Sequence, residues 1–379
     1  MFRSGWTIAD FRGIPIRVHP SLLFILPIMA IAITGQELPA RFVHFGVPVG
    51  EIIVPTVLYG VGLSLSLFGA VLLHEIGHAA VALHYNMPVR AITLMILGGM
   101  TEIDQDDASP KETFLVALAG PAVNLVLGLI CIVTARLLPM TWTDVLIFLA
   151  LFGALNVLIA VFNLIPSMPL DGGRMLKSAL TWRLDVTRAA RIAGTIGRAL
   201  ALGGGLYGLM LGEFMIVLLC VFLYFGAGAD QANTSVQEAL QGLTARQAMT
   251  IQVVSVPPHA SMPSVARHML MRDADVALVR DAHGTYGVIL AQTLNRARAE
   301  SAADLVDGEP LSAWEDDALP ELVRLMRWHE KPVIVIDRYN PPIGVITHDD
   351  VVRAARLRIL ADRGLEEYIQ STESQHYEA

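Results

Sequence analysis

The chain has 379 residues, of which 54% are hydrophobic and only 16% charged, and its mean hydropathy is +0.54. A soluble domain normally carries about a quarter charged residues, so this composition excludes a wholly soluble protein. The net charge of -8 and the pI near 5.8 do not provide the basic surface that nucleic acids require, and we expect no nucleic-acid partner. The two cysteines, Cys131 and Cys220, lie in apolar runs and argue against a disulfide framework.

Hydropathy divides the chain near residue 230 into an apolar half and a half of ordinary soluble composition. A helix needs about 20 apolar residues to cross the hydrocarbon core, and most of the apolar segments approach that length. The sequence therefore predicts an α-helical polytopic membrane domain with six transmembrane helices, at about 18–35, 58–84, 113–138, 144–165, 190–208 and 211–229.

Basic residues alternate between the loops that join these segments. In membrane proteins an excess of Lys and Arg marks the cytoplasmic loops. One set of loops contains only Arg41 and Arg136, whereas the other contains Arg3, Arg12, Arg17, Arg90, Lys111, Arg174, Lys177, Arg183 and Arg188. The pattern predicts a multi-pass cell (inner) membrane protein with both termini and the soluble C-terminal domain in the cytoplasm.

Two short β-prone runs, 89–97 and 100–103, lie between the second and third segments on either side of Gly98-Gly99. Such runs around a Gly-Gly turn predict a short β-hairpin. A hairpin near a membrane has an edge with unpaired backbone groups, which can bind an extended peptide by strand addition. We therefore predict that Gly98 and Gly99 help to position a peptide substrate.

The second segment contains His74-Glu75-Ile76-Gly77-His78, an H-E-x-x-H motif. In a helix this spacing places both imidazoles on one face, with Glu75 beside them. Two imidazoles suit Zn²⁺, and the neighbouring carboxylate can take a proton from a metal-bound water. Ionisable groups are costly inside a membrane span, which favours a functional site over a polar patch that reaches water at a helix end.

A catalytic zinc site needs a third protein ligand and one open position. Asp171 is the best candidate because it lies in the segment 163–174, where Pro166 and Pro169 interrupt the helix and Gly172-Gly173 allows a sharp turn. On its own, a cluster of Pro, Asp and Gly is more typical of an ordinary loop.

Predicted depth brings these motifs together. At a rise of ~1.5 Å per residue, His78 lies roughly 10 Å and His74 roughly 15 Å from the cytoplasmic end of the second segment. The fourth segment delivers Asp171 to that same side, and the third segment starts there, with Gly120-Pro121 and Asn124 at similar depth. The spans and their orientation are predicted from hydropathy and loop charge, without the motifs. They nevertheless place all of the motifs at a similar depth, which predicts a single site.

The C-terminal half contains an internal repeat, because residues 256–290 align without gaps onto 313–347. Each copy has the pattern of a helix, a buried strand, a turn and a second strand. A single copy would leave one sheet face bare, so we expect the two to pack together as a soluble α/β domain. The predicted divisions are a membrane domain at 1–230, a linker at 231–243, tandem repeats at 244–299 and 300–360 (together 244–360), and a polar tail at 361–379.

The membrane half resembles the site-2 protease family of intramembrane zinc metalloproteases, in the subgroup with C-terminal cystathionine-β-synthase (CBS) repeats. The resemblance rests on four stretches in the family's order, 11–20, 74–78, 119–124 and 163–174. It implies that the site binds one catalytic Zn²⁺ through His74, His78 and Asp171, and that Glu75 is the general base and acid.

The resemblance also implies roles for two asparagines. Asn163 would hold the substrate backbone or the developing oxyanion. Asn124 would be a structural or substrate-positioning residue, and an interhelical hydrogen bond is the alternative for it.

The function that the resemblance implies is proteolysis within the lipid bilayer of single-pass membrane proteins. Such substrates would be a membrane-tethered transcription regulator, a trimmed anti-sigma factor or a remnant signal peptide. The alternative from another class is a CBS-regulated membrane transporter or channel, in which buried His, Glu and Asp side chains form an ion path. A transporter is expected to show internal membrane repeats, and the sequence shows none.

The soluble repeats resemble CBS domains, which bind adenine nucleotides between paired copies. In the second copy Thr347 and Asp350 match the family pattern for contacts with the ribose and phosphates, whereas the first copy has Thr293 where the acid is expected. The resemblance implies that ATP or AMP, or formation of a homodimer, modulates the protease through the CBS pair. A purely structural dimerisation module is the alternative.

Overall fold

The computed structural model describes residues 5–34, 55–96, 98–280, 286–294, 301–306, 310–337 and 342–377, and the structural statements below concern those residues. The chain divides into two compact units, one up to Gln231 and one from Ala232 onward.

The first unit is mostly helical. Long apolar sequences are helical in lipid because a helix satisfies its backbone hydrogen bonds internally. The helices are α1 (Leu22–Thr34), α2 (Thr56–His84), α3 (Pro110–Leu137), α4 (Thr143–Asn163), α5 (Asp171–Leu180), α6 (Val186–Leu211) and α7 (Phe214–Ala239).

Four of these helices, α2, α3, α4 and α7, are long and apolar enough to cross a membrane. The predicted first span falls on α1, whose apolar stretch Leu22–Ile31 is shorter than a crossing requires. Part of that prediction, and the predicted outer-loop residue Arg41, lie outside the described residues. The predicted fifth span falls on α6, which contains Arg188, Arg191 and Arg198. The count of six spans stays a prediction.

The first unit also contains a four-stranded sheet with the order β1-β2-β3-β4. Strand β2 pairs with β3 in parallel, and the other two pairs are antiparallel. The sheet lies against α2, because Ile14, Ile16 and Ile92 form a buried cluster with Ala79. The strands are β1 (Trp6–Phe11), β2 (Ile14–Val18), β3 (Val89–Met95) and β4 (Gly98–Ile103).

The pairing of β3 with β4 differs in two respects from the predicted hairpin. Gly98 and Gly99 do not form the turn; they are the first residues of β4 and lie opposite Met95 and Leu94. Glycine is needed at position 99 because β4 approaches α2 so closely that a Cβ there would collide with the Glu75 side chain. In addition, β1 and β2 extend the two predicted strands to a sheet of four, in which β4 is an edge strand.

Helices α2, α3 and α4 approach one another through small residues. A Cβ atom on Gly128 of α3 would lie 2.7 Å from the carbonyl oxygen of Gly153 on α4, and one on Gly153 would lie 2.8 Å from the carbonyl oxygen of Gly128. Between α2 and α3, a Cβ atom on Gly77 would lie 2.9 Å from Val123 Cγ2. Membrane helices commonly associate in this way. These contacts hold together the helices that carry the candidate site.

The chain between α4 and α5 has the irregular backbone that the sequence predicts. Helix α4 ends at Asn163, and α5 begins at Asp171. A side chain at Gly172 or Gly173 would collide with the backbone of the segment just before it, so the two glycines allow the chain to fold back tightly. On the other side, a Cβ atom on Gly226 of α7 would lie 2.6 Å from Pro169 Cδ. The segment is therefore packed on both sides, which fixes the position of Asp171.

The second unit contains two three-stranded sheets, β5-β6-β7 and β10-β9-β8. In each sheet the central strand pairs in parallel with the first strand of its repeat and antiparallel with the last. The strands are β5 (Val253–Val256), β6 (Val276–Arg280), β7 (Tyr286–Leu290), β8 (Leu311–Trp314), β9 (Val333–Ile336) and β10 (Pro342–Ile346). The helices are α8 (Ala245–Ala248), α9 (Met262–Arg272), α10 (Ala291–Leu294), α11 (Leu319–His329) and α12 (His348–Tyr377), with a 3-10 turn at Ala302–Leu305.

The two repeats share a core. Val276 and Leu278 of the first repeat form one buried cluster with Ile334 and Val345 of the second. The sequence predicted this packing, because a single copy would leave one face of its sheet exposed. The sequence did not predict the additional strand, β5 or β8, that precedes the helix of each repeat.

Two of the predicted boundaries differ from the helices observed. Helix α7 runs to Ala239, so most of the predicted linker 231–243 is helical. Ala239 and Leu240 are buried in a core cluster of the second unit, and this apolar contact explains why the helix extends so far. Helix α12 continues to Tyr377, so most of the predicted polar tail, 361–379, is helical.

Candidate metal centre

Helices α2 and α5 bring together the three side chains that the sequence proposes as metal ligands. His74 Nε2 lies 3.1 Å from Asp171 Oδ2, and His78 Nε2 lies 3.3 Å from the same oxygen. The three residues are buried, and one ligand atom of each lies within 4.8 Å of the other two. The spacing on α2 places the imidazole centroids 4.7 Å apart with nearly perpendicular rings. Separate helices thus converge on one point.

Nδ1 of each imidazole has a hydrogen-bond acceptor beside it, and this determines whether Nε2 carries a proton or a lone pair. His78 Nδ1 lies 2.7 Å from the carbonyl oxygen of Val116, and a carbonyl can only accept, so Nδ1 carries the proton. His74 Nδ1 lies 3.1 Å from Asn124 Oδ1, which is also an acceptor. In the neutral rings both Nε2 atoms then direct lone pairs toward the Asp171 carboxylate. Three electron-rich atoms repel one another unless a cation lies between them, and two imidazoles with one carboxylate form a donor set that fits Zn²⁺.

Gly120 on α3 leaves the space that an ion at this point requires. A Cβ atom on Gly120 would collide with Nε2 of both His74 and His78. The α3 backbone therefore passes directly beside the metal-facing nitrogens, and any larger residue would fill the space in front of them. The sequence predicted a depth for Gly120 similar to that of the two histidines but did not assign it a role at the site.

Glu75 lies beside the cluster and is also buried, with 7% of its surface exposed. Thr101 of β4 donates a hydrogen bond from Oγ1 to Glu75 Oε2 at 2.6 Å. Gly99 of the same strand lies against the Glu75 side chain. The edge strand of the sheet thus contacts the candidate base directly.

The two asparagines that the resemblance singles out have different surroundings. Asn124 is fully buried, and its amide oxygen contacts His74; its Nδ2 has no hydrogen-bond partner among the described residues. Asn163, the last residue of α4, donates from Nδ2 to the carbonyl oxygen of Ile159 in its own helix at 3.1 Å. The hydrogen bond of Asn163 is therefore local, whereas Asn124 is in contact with the proposed ligand set.

Sequence reasoning missed three contributors to the site: Thr101, Gly120 and the carbonyl of Val116. A backbone carbonyl has no sequence signal. The predicted hairpin could have pointed to Thr101, because its polar side chain alternates with Met100 on a strand that packs on the H-E-x-x-H helix.

Thr347 and Asp350, the residues proposed for nucleotide binding, contact each other at the start of α12. Asp350 Oδ2 accepts hydrogen bonds from the Thr347 backbone N at 2.9 Å and from Thr347 Oγ1 at 2.7 Å. Asp350 Oδ1 accepts one from Thr250 Oγ1 at 2.5 Å and lies 2.9 Å from an Arg353 nitrogen. The carboxylate is 5% exposed and already has partners on both oxygens.

Comparison with known proteins shows which families and relatives this chain is similar to. Residues 62–140 and 137–204 match peptidase family M50, and residues 302–357 match the CBS domain. A protein of Synechocystis sp. that carries a zinc-metalloprotease name is 36% identical over 255 residues, which are 64% of each chain. A zinc metalloprotease of Methanocaldococcus jannaschii is 27% identical over 90% of this chain and 93% of its own. The solved site-2 protease of that archaeon is 26% identical, with a TM-score of 0.42, and the match covers 60% of this chain and 95% of the other.

These matches are to a family of metallopeptidases in the first unit and to the CBS domain in the second. The chain is thus similar to peptidase family M50 over residues 62–204, relatives that carry zinc-metalloprotease names match it, and its second unit is similar to the CBS domain over residues 302–357.

Proposed function

We propose that this protein belongs to peptidase family M50 and is a zinc-dependent endopeptidase that cleaves transmembrane segments of single-pass membrane proteins inside the lipid bilayer. The observation that supports this most directly is the convergence of His74, His78 and Asp171 beside the buried carboxylate of Glu75. Three of these residues, His74, Glu75 and His78, lie on α2, which is long enough to cross a membrane, and such a set is suited to hydrolysis where bulk water is scarce.

The proposed chemistry assigns the ligand role to His74, His78 and Asp171. A Zn²⁺ ion held there acts as a Lewis acid that polarises the scissile carbonyl and increases the acidity of water. Glu75 takes a proton from the attacking water on a carboxylate oxygen and then gives that proton to the leaving amide nitrogen. One water is consumed, and the products are a carboxylate and an amine. Val116 and Asn124 hold the two imidazoles in the orientation that this requires.

Asn163 is proposed as the residue that binds the substrate backbone or the developing oxyanion. It lies where α4 ends and the irregular segment leading to Asp171 begins. A side-chain amide nitrogen carries two hydrogens, so the local bond to Ile159 engages only one of them. The second hydrogen supplies the donor that oxyanion stabilisation needs.

Substrate binding is proposed to use the edge strand β4. A peptide carbonyl in a transmembrane helix is already hydrogen-bonded, so the substrate must become extended before it is cleaved. Strand β4 is an edge of its sheet and contacts Glu75, so a peptide added to it would lie beside the base. Gly98 and Gly99 would let the substrate backbone approach closely, because they have no side chains.

The proposed location is the cell (inner) membrane, with six spans and with both termini and the CBS domains in the cytoplasm. The support for this orientation is the loop charge asymmetry, with the basic loops on the cytoplasmic side. The metal centre lies in the half of α2 toward His84, which this orientation places on the cytoplasmic side of the bilayer centre.

The CBS pair is proposed to modulate the protease by binding ATP or AMP, or by forming a homodimer. Thr347 and Asp350 are the proposed nucleotide contacts. Since both Asp350 oxygens have partners, a ribose hydroxyl has to take the place of Thr250 or Arg353. Calorimetric titration of the full-length protein with ATP and with AMP tests this, with Asp350→Asn as the comparison. Absence of heat with both nucleotides would favour a purely structural module.

The test of the proposed protease is a comparison of wild type with Glu75→Gln. We expect cells with the wild type to contain membrane-peptide fragments that are missing from cells with Glu75→Gln. Purified wild type in detergent should cleave the corresponding single-pass segment, whereas Glu75→Gln with bound zinc should not. Full cleavage by zinc-loaded Glu75→Gln would overturn the role of Glu75 as the base, whereas no cleavage by zinc-loaded wild type would overturn the protease and leave a transporter or channel as the alternative.

A further inference from the structure

The Glu75 carboxylate has a hydrogen-bond donor on the edge strand of the sheet. Thr101 Oγ1 donates to Glu75 Oε2 at 2.6 Å and also lies 3.3 Å from the Glu75 backbone carbonyl. A buried carboxylate is costly unless it accepts hydrogen bonds, and a bond to a charged acceptor is stronger than a neutral one. The contact joins residues far apart in sequence, so the fold of the sheet on α2 creates it.

The register of the sheet determines where the Thr101 hydroxyl points. Thr101 lies directly opposite Ile92 of β3, and directly opposed residues project from the same face of a sheet. Ile92 is fully buried in a cluster with Ala79 of α2, so the face that carries Thr101 is the one that contacts α2. A shift of one residue would turn the hydroxyl away from Glu75.

Gly99 completes this arrangement. It lies two residues before Thr101, on the same face of β4, and a Cβ atom there would lie 2.6 Å from Glu75 Oε1. The strand thus leaves space beside one carboxylate oxygen and donates a hydrogen bond to the other. This is the asymmetry that a base needs when one oxygen must remain available for a proton.

We propose that Thr101 is a positioning residue for the hydrolytic reaction: its hydroxyl holds Glu75 through Oε2, so that Oε1 is directed to the water and the leaving nitrogen. The proposal rests on the proposed function, in which Glu75 carries the proton. Because Thr101 belongs to β4, it also fixes the distance between the base and a peptide that pairs with that strand. Loss of the hydroxyl should then lower the rate of the chemical step rather than substrate affinity.

The test uses two substitutions that separate the hydroxyl from the shape of the side chain. Thr101→Val keeps the β-branched shape and removes the hydroxyl, whereas Thr101→Ser keeps the hydroxyl and removes the methyl group. The matched control is Thr93→Val, which makes the same change on β3 opposite Met100, on the other face of the sheet. The probe is a labelled single-pass membrane segment that purified wild type cleaves, Glu75→Gln is assayed beside the Thr101 variants, and zinc content is measured for every variant.

For Thr101→Val we expect kcat to fall about tenfold or more, with KM and zinc content unchanged. This loss is a part of the roughly 10²- to 10⁴-fold rate enhancement that a general base typically contributes. Thr101→Ser should restore most of the wild-type kcat, and Thr93→Val should retain it. If Thr101→Val does not fold or loses zinc, Thr101→Ala against Thr101→Ser provides the same comparison.

Three results would overturn the proposal: a wild-type kcat for Thr101→Val, equal losses for the valine and serine variants, or a loss that appears in KM alone. Failure of the proposed function is distinguishable from these outcomes, because in that case Glu75→Gln would cleave the probe as wild type does, whatever happens at Thr101.

Discussion

At the scale of single residues, the proposed metal centre depends on groups that are not themselves proposed ligands. Gly120 leaves space before the two Nε2 atoms, and Asn124 and Val116 accept hydrogen bonds from the two Nδ1 atoms. Removing any one of them should weaken metal binding without removing a ligand. This dependence distinguishes an organised metal site from a chance grouping of histidines and an acid.

Gly120→Ala should abolish zinc binding while the protein remains folded. Alanine favours the helix, but its methyl group would occupy the space of the metal-facing nitrogens. Metal analysis of purified protein gives the zinc content. Gly69→Ala on α2 is the control, because a Cβ there meets nothing within 4 Å, and it should keep one zinc per chain. A full complement of zinc in Gly120→Ala would contradict the assigned geometry.

Asn124→Leu should weaken zinc binding about 10- to 100-fold, because His74 loses the acceptor that orients its ring. Asn124→Asp keeps an acceptor oxygen and should retain the affinity. Competition with a calibrated chelator measures both. Equal affinities for the leucine variant and wild type would show that the contact with His74 has no role in metal binding.

The sequence could single out the three candidate ligands, which the structure brings together, because their signals are chemical and local. The spacing of His74 and His78 defines a helical face, and a broken helix at membrane depth is tolerated only against protein or a wet cavity, which favours a site at Asp171. Thr101 was missed because its importance arises from strand register, which no local pattern specifies. Gly98 and Gly99 were assigned to a turn because Gly-Gly most often forms one; here Gly99 is required by the proximity of Glu75.

At the scale of elements, the site depends on close helix crossings and on the irregular segment between α4 and α5, which is packed on both sides. The α3–α4 contact at Gly128 and Gly153 brings two backbones within reach of each other. The sheet packs against α2. The segment before α5 packs between Gly172 and Gly173 on one side and Gly226 of α7 on the other. Because these elements are in direct contact, a small displacement at a helix crossing should change the positions of the candidate ligands.

Gly128→Ala should destabilise the membrane unit by about 1–3 kcal/mol, the usual cost of overpacking, because its methyl group would lie 2.7 Å from the Gly153 carbonyl oxygen. Thermal or denaturant unfolding in detergent measures the effect. Gly203→Ala on α6, where a Cβ meets nothing within 4 Å, is the matched control and should be neutral or slightly stabilising. The same stability for both variants would argue against close crossing of α3 and α4.

Element boundaries were harder to predict than element types. The four long apolar helices were predicted because burial in lipid makes composition decisive, and TM-length segments need little tertiary information. The helical conformation of the predicted linker 231–243 and the strands β1 and β2 were not predicted, because they depend on tertiary contacts. Helix α7 extends because Ala239 has a core to pack into, and β2 forms because β3 lies beside it.

At the scale of the whole molecule, composition indicates that one part of the chain is surrounded by lipid and the other by water. The first unit exposes many large apolar side chains, as expected of a surface that faces lipid, whereas the second has compact cores typical of water-soluble domains. The orientation of the first unit in the bilayer then determines the compartment in which the CBS domain lies.

Cysteine accessibility tests that orientation. In a variant with Cys131 and Cys220 replaced by alanine, Met140→Cys should react with a membrane-impermeant thiol reagent in intact cells. Gln241→Cys should react only after the membrane is permeabilised. Both positions are exposed, so lack of reaction reports the compartment rather than burial. The reverse labelling pattern would contradict the proposed topology.

X-ray absorption at the zinc edge of the purified protein tests whether His74, His78 and Asp171 coordinate one zinc ion inside the membrane unit. We expect one zinc per chain with two imidazole nitrogens at about 2.0–2.1 Å and carboxylate or water oxygen at about 2.0–2.2 Å. We also expect zinc to be lost when Asp171 is replaced by alanine. A sulfur shell, a site without imidazole, or folded protein without zinc would contradict this coordination.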